Sequence, residues 1–222
     1  MTSEIKASSG ASLTVADYFA MSNEVAESTS DQDLGSGGIL LLPDVSDSGG
    51  TTRHLAVGAG KDGNLYVVNR DSMGKFSSSG NNIWEQLTDA LSGGIWSTPA
   101  YFNQTLYYGP NGGHLIAFTM ADAKFNAGTH SSATFAFPGS APSVSANGTS
   151  NGIVWAHENS NPAVLHAYDA GNLTQELYNS SQAANGRDQY GAGNKFITPV
   201  AADGKVFVGA TNGVAVFGLL GN

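Results

Sequence analysis

The sequence predicts an all-β chain built from four copies of one four-stranded unit, and three observations carry that prediction. One phrase recurs four times: a Pro-containing strand, an apolar strand ending near Gly, a Gly/Asn turn, then another apolar strand. Val68, Phe118, Tyr168 and Phe217 hold the same place in each copy, about 50 residues apart, which is the period of a propeller blade. The apolar runs are short, rich in Val, Tyr, Phe and Ile, and bounded by Asp-Gly, Asn-Gly and Gly-Gly dipeptides, which marks strands joined by tight hairpins rather than helices. The expected fold is a β-propeller of four four-stranded blades in a single domain, 1–222.

The elements follow in order. The N-terminal run Ala11-Ser12-Leu13-Thr14-Val15-Ala16-Asp17-Tyr18 is a strand over about 11–18 with no blade of its own. Met21 to Asp31 is polar and acidic, and reads as a connector carrying a short helical turn. The blades are expected at about 39–88, 97–137, 141–178 and 196–220. Pro43, Pro99, Pro142 and Pro199 recur at the first strands, where a missing backbone donor is tolerated at a strand start or sheet edge. Outer strands are expected at 82–87, 133–137 and 175–178. The fourth copy has none, so the N-terminal strand is expected to close it and hide the sheet edges. Four blades are few, and the small residues near the first strands suit a wide ring. The reading favours a homodimer of half-rings, eight blades in all, over a small ring closed by one chain.

Composition bounds the function. The chain has 222 residues, 29 of them Gly, with 41% apolar and 12% charged residues and a net charge of -9. A field of that sign repels phosphate backbones and anionic membrane surfaces, so neither nucleic acid nor membrane is an expected partner. With no Cys, disulfides, thiolate metal sites and Cys nucleophiles are excluded. The first ten residues lack the pattern of a signal peptide, and no apolar run reaches membrane-spanning length, so the expected protein is soluble. No Ser sits in a Gly-x-Ser-x-Gly elbow, and the glycines read as turn residues rather than a phosphate cradle.

The phrases Gly63-Asn64-Leu65-Tyr66-Val67-Val68-Asn69, Asp203-Gly204-Lys205-Val206-Phe207-Val208-Gly209 and Thr211-Asn212-Gly213-Val214-Ala215-Val216-Phe217 resemble the repeats of pyrroloquinoline-quinone-type β-propeller proteins. The resemblance runs from about residue 39 to the end. It implies the propeller fold and a longer, many-bladed relative, and members of that family are often exported. Quinoprotein dehydrogenases of this type use a vicinal cysteine disulfide and a Trp docking motif ending each blade. Here Cys is absent and Trp84 alone stands at a docking position, so no quinone cofactor is expected.

Candidate chemistry lies in loops that meet at the mouth of a propeller channel. Asp31 and Asp33 alternate in a way that can offer oxygen ligands to a divalent cation, calcium or zinc; the plainer reading is a solvated loop. His157 and Glu158 are the candidate ligand and base, with His114 as a further catalytic candidate. Neighbours on a strand point to opposite faces, however, which sets His157 against Glu158. Arg187 and Asp188 either clamp an anionic group or pair with each other, and Trp96 and Lys61 complete the expected substrate-binding set. His166, inside an apolar strand, reads as a hydrogen-bonded core residue, and His54 and His130 as polar loop residues. The leading expectation is a metal-assisted hydrolase of an ester, lactone or phosphoester; the alternative is a non-catalytic module that binds a small molecule or assembles with a partner.

Overall fold

A computed structural model describes residues 2–7 and 13–219. The all-β expectation holds: antiparallel sheets succeed one another along the chain. The chain opens with β1 (Thr2–Ala7) and β2 (Leu13–Phe19), paired as a hairpin, then α1 (Glu24–Thr29) in the predicted connector. Among the described residues no helix is long and apolar enough to cross a membrane.

The first sheet follows. It joins β3 (Ile39–Leu41), β6 (Leu55–Ala59), β7 (Leu65–Asn69) and β8 (Glu85–Leu87). A small ear, β4 (Val45–Ser46) with β5 (Thr52–Arg53), interrupts it. The second sheet meanders through β9 (Ala100–Phe102), β10 (Thr105–Tyr108), β11 (Gly113–Ala121) and β12 (Lys124–Phe135). The third contains β13 (Ser143–Asn147), β14 (Ser150–Glu158), β15 (Val164–Asp169) and β16 (Asn172–Asn179). The fourth has three strands, β17 (Val200–Ala202), β18 (Lys205–Ala210) and β19 (Gly213–Gly218).

Local chemistry explains these units. Pro99, Pro142 and Pro199 each stand immediately before a first strand, where a missing N–H costs no ladder bond. Three hairpin turns, at Asn103-Gln104, Asp122-Ala123 and Asp203-Gly204, have both central residues at positive φ, the twist that a two-residue connection between right-handed strands requires. The second of these turns extends β11 and β12 well beyond the predicted strands, and residues 119–132, which contain the polar stretch expected to be loop, belong largely to one long bulged hairpin.

The sheets pack face to face in chain order. Leu55, Val57, Leu65 and Val67 of the first meet Leu106, Tyr108, Phe118 and Met120 of the second. On the opposite face of the second sheet, Tyr107, Leu115, Ala117 and Phe135 meet Val154, Ala156 and Tyr168 of the third. Leu165 of the third then meets Val206 and Val208 of the fourth. Such alternation follows from the two-residue period of a strand, which gives each middle sheet two apolar faces. The free face of the first sheet, with Ala56, Tyr66 and Val68, is covered by Phe19, Met21, Leu34 and Met73.

The N-terminal strand lies elsewhere than expected. Residues 11 and 12 of the predicted 11–18 strand fall outside the described residues; the rest pairs with β1, not with β19. Its end is anchored beside the first sheet, where Lys75 N donates to Tyr18 O at 2.9 Å and Met73 N donates to the Asp17 carboxylate at 2.8 Å. A neighbouring hairpin partner five residues away outcompetes a distant edge because closing a short loop costs less entropy. Among the described residues the fourth sheet therefore has no outer strand.

Candidate functional site

His157 and Glu158 face different sheets, as strand geometry dictates. His157 is buried on the face of β14 that meets the fourth sheet, with Nδ1 2.9 Å from the Tyr190 hydroxyl and Nε2 3.2 Å from the Asn194 carbonyl. The carbonyl only accepts, so Nε2 carries the proton and Nδ1 accepts from Tyr190. Burial holds the imidazole below its ordinary pKa. Both nitrogens are engaged. The cavity beside it, among Trp96, Ser140, Asn159 and Asn194, has a volume of only about 10 Å³.

Glu158 points the other way, toward the second sheet. Its carboxylate lies 3.2 Å from Nε2 of the buried His166, whose Nδ1 lies 2.6 Å from Glu176. Tyr168 stacks on the His166 ring, with centroids 5.8 Å apart, and Phe135 meets the ring edge-on at 5.5 Å. The predicted core role of His166 is thus met by hydrogen bonds to two carboxylates on the face of the third sheet that meets the second. Its two carboxylate partners lie 8 and 10 residues away in sequence, on the neighbouring strands β14 and β16.

Asp31, Asp33 and Lys61 are brought together. The Lys61 ammonium sits 2.8 Å from each carboxylate. Hydrogen bonding to Lys61 holds Asp33 below the ordinary carboxylate range, and the two acids raise Lys61 in turn. The position a cation would take between these acids is held by a side chain of the protein. Beneath them Asp62 accepts from Asn64 at 2.7 Å and from Tyr66 at 2.5 Å, while the buried Glu27 carboxyl is pushed up by burial and then by Asp62. Among the described residues no group of three or more His, Asp or Glu side chains is arranged to hold a metal.

Arg187 and Asp188 pair with each other. Arg187 donates twice, at 2.7 and 2.9 Å, and the Tyr178 hydroxyl adds a third bond at 2.6 Å. Arg187 first, then Tyr178, lowers Asp188 to about 2. Trp96 packs edge-on against Phe137 at 5.2 Å, with Lys195 over that second ring at 4.8 Å. His114 lies apart from all of these, against His130, which stands on β12 rather than in a loop.

A larger cleft opens between the third and fourth sheets. Its volume is about 620 Å³, and Trp155, Leu177, Tyr178, Tyr190, Val206 and Phe217 line it. Arg187 and Asp188 are at its rim, so of the predicted site residues only this pair borders a cavity large enough for a ligand. The cleft was not legible as a site, since its walls come from residues about 60 apart whose pattern matches ordinary blade strands.

No protein-family model and no curated protein matches the sequence. Among solved structures, the computationally designed Ika4 protein aligns at 12% identity over 74% of this chain and 85% of its own, with a TM-score of 0.50. BamB from Moraxella catarrhalis aligns at 14% identity over 93% of this chain and 52% of its own, with a TM-score of 0.48, so this chain spans about half the BamB length. At 12% identity the likeness to Ika4 is one of fold: a series of antiparallel sheets, with no chemistry carried across.

Proposed function

We propose that this chain is a non-catalytic assembly module, a four-bladed segment of a propeller that a second copy completes. The observation that carries the reading is the free face of the fourth sheet. Register places Val200, Phe207 and Val216 opposite one another on that face, with Val214 beside them. Val200, Val214 and Val216 are 55%, 67% and 55% exposed, an apolar surface of the kind that marks an interface. Every middle sheet buries both faces, and the first sheet has its outer face covered, so this face is the one departure from the pattern among the described sheets.

Among the described residues the outer edge of β19 is unpaired, and this favours a second copy as the occupant. β2 reads Leu13-Thr14-Val15-Ala16-Asp17-Tyr18, and β16, an outer strand, reads Leu173-Thr174-Gln175-Glu176-Leu177-Tyr178. β2 thus has the pattern of an outer strand and already packs, through Phe19 on Tyr66 at 5.7 Å, where a preceding blade would stand. In the dimer, β19 of one copy takes the inner edge of β2 of the other in place of β1, and an eight-bladed ring with two-fold symmetry results. Pairing both ways satisfies the backbone groups that β19 otherwise presents to solvent.

Light scattering tests the reading: twice the 22.8 kDa of one chain is expected, and a monomer at all concentrations overturns it. An esterase and phosphoesterase screen with and without chelator completes the test. No turnover is expected, because the candidate bases are engaged; chelator-sensitive turnover would instead support the hydrolase built on Asp31, Asp33, His157 and Glu158.

A further inference from the structure

We propose that His114 and His130 together form a binding site for a borderline transition-metal ion such as copper(II), nickel(II) or zinc(II), independent of the assembly proposed above. His114 opens β11 and His130 lies on β12. Register pairs His114 with Thr134 and Ile116 with His130, so both imidazoles project from the same face of one hairpin. The ring centroids are 4.7 Å apart and the planes are tilted by 38°. Nδ1 of His114 lies 3.2 Å from the Ala133 carbonyl, and Nδ1 of His130 lies 2.9 Å from the Ser131 carbonyl.

A carbonyl oxygen only accepts. Each neutral ring must therefore carry its proton on Nδ1, which leaves both Nε2 atoms as unprotonated lone-pair donors. Neither Nε2 has a hydrogen-bond partner among the described residues. An imidazole whose other nitrogen donates to a carbonyl is the arrangement that fixes tautomer and orientation in histidine-ligated metal sites. Two nitrogens each about 2.0–2.1 Å from one ion lie at most about 4.2 Å apart, a separation that rings at this centroid distance can adopt. His130 is exposed and His114 half-buried, so an ion reaches the pair from solvent. Imidazole donors favour copper, nickel and zinc over calcium, with copper(II) the tightest of the series. Two protein nitrogens leave the remaining coordination positions to water or to a ligand.

Titration of the metal-free chain with copper(II), read by calorimetry and by electron paramagnetic resonance, tests the site. One equivalent is expected, with hyperfine structure from two nitrogens, while calcium gives no heat. H114Q and H130Q are each expected to weaken binding at least about tenfold and to reduce the nitrogen coupling to a single nucleus. His130 is exposed, so H130Q tests the site even where H114Q unfolds. Binding unchanged in H130Q, or lost instead in H54Q, where His54 lies beside Asp71, overturns the proposal.

Discussion

The Tyr190 hydroxyl donates to Nδ1 of His157 across 2.9 Å, and this bond ties the third sheet to the loop that enters the fourth. Tyr190 also packs edge-on against Phe217, with centroids 5.5 Å apart. Tyr190→Phe keeps the ring and deletes only the bond. A loss of about 1 kcal/mol in denaturant unfolding is expected, the usual net worth of one such bond, and no loss would mean that the bond is not formed in solution.

The pH dependence of stability follows from the same histidine. Burial lowers the native pKa of His157 below the ordinary 6.5, so the unfolded chain binds more protons in the interval between the two values. Its contribution is complete above pH 6.5 and is lost as pH falls toward the lower native value. Thermal unfolding of His157→Gln, compared with the parent at pH 7.5 and 5.5, checks this: the parent loses more stability on acidification than the variant does.

The hydrogen-bonded cluster of Glu158, His166 and Glu176 is expected to be stabilising as a unit. Glu176→Ala removes the 2.6 Å partner of Nδ1 and leaves a buried ring nitrogen facing Tyr168 alone. A loss of about 1–3 kcal/mol is expected, because the longer 3.3 Å contact with the Tyr168 hydroxyl replaces a short bond to a carboxylate. Equal unfolding midpoints would show that water replaces the carboxylate.

Two glycines separate close approach from conformation. A Cβ on Gly37 would stand 2.0 Å from the Ala59 carbonyl oxygen, a backbone atom that cannot swing away. At Gly50 the surroundings are open but φ is +76°. Gly37→Ala is expected to cost about 3 kcal/mol, as overpacking does, and Gly50→Ala about 1 kcal/mol for the left-handed backbone. Chemical denaturation of both variants measures the difference.

Val214→Lys with Val216→Lys charges the open face of the fourth sheet. Monomer stability is expected to change by less than about 0.5 kcal/mol at each exposed site, while the dimer expected in light scattering is lost. A dimer that persists would place the interface elsewhere.

Much of the architecture was legible because it is local. Strand period, hairpin dipeptides and the prolines before β9, β13 and β17 act within a few residues, so the all-β character of the chain follows from short segments. The hairpin of β11 and β12 was less legible: Asn126, Gly128, Thr129 and Ser132 carry no apolar alternation, and the strand is held by backbone pairing and by its edge against the third sheet. His130 reads as a loop residue for that reason, and its partnership with His114 is not visible in the sequence.

The amino-acid order by itself determined the all-β repeat, the absence of cysteine chemistry and the opposite facing of His157 and Glu158, since each follows from composition or from the two-residue period of a strand. Only the tertiary structure decided which charges neutralise one another, that Lys61 stands between Asp31 and Asp33, that β2 pairs with β1, and that the fourth sheet keeps an apolar face open. Those outcomes depend on distances between segments remote in sequence, which packing sets and local pattern does not encode.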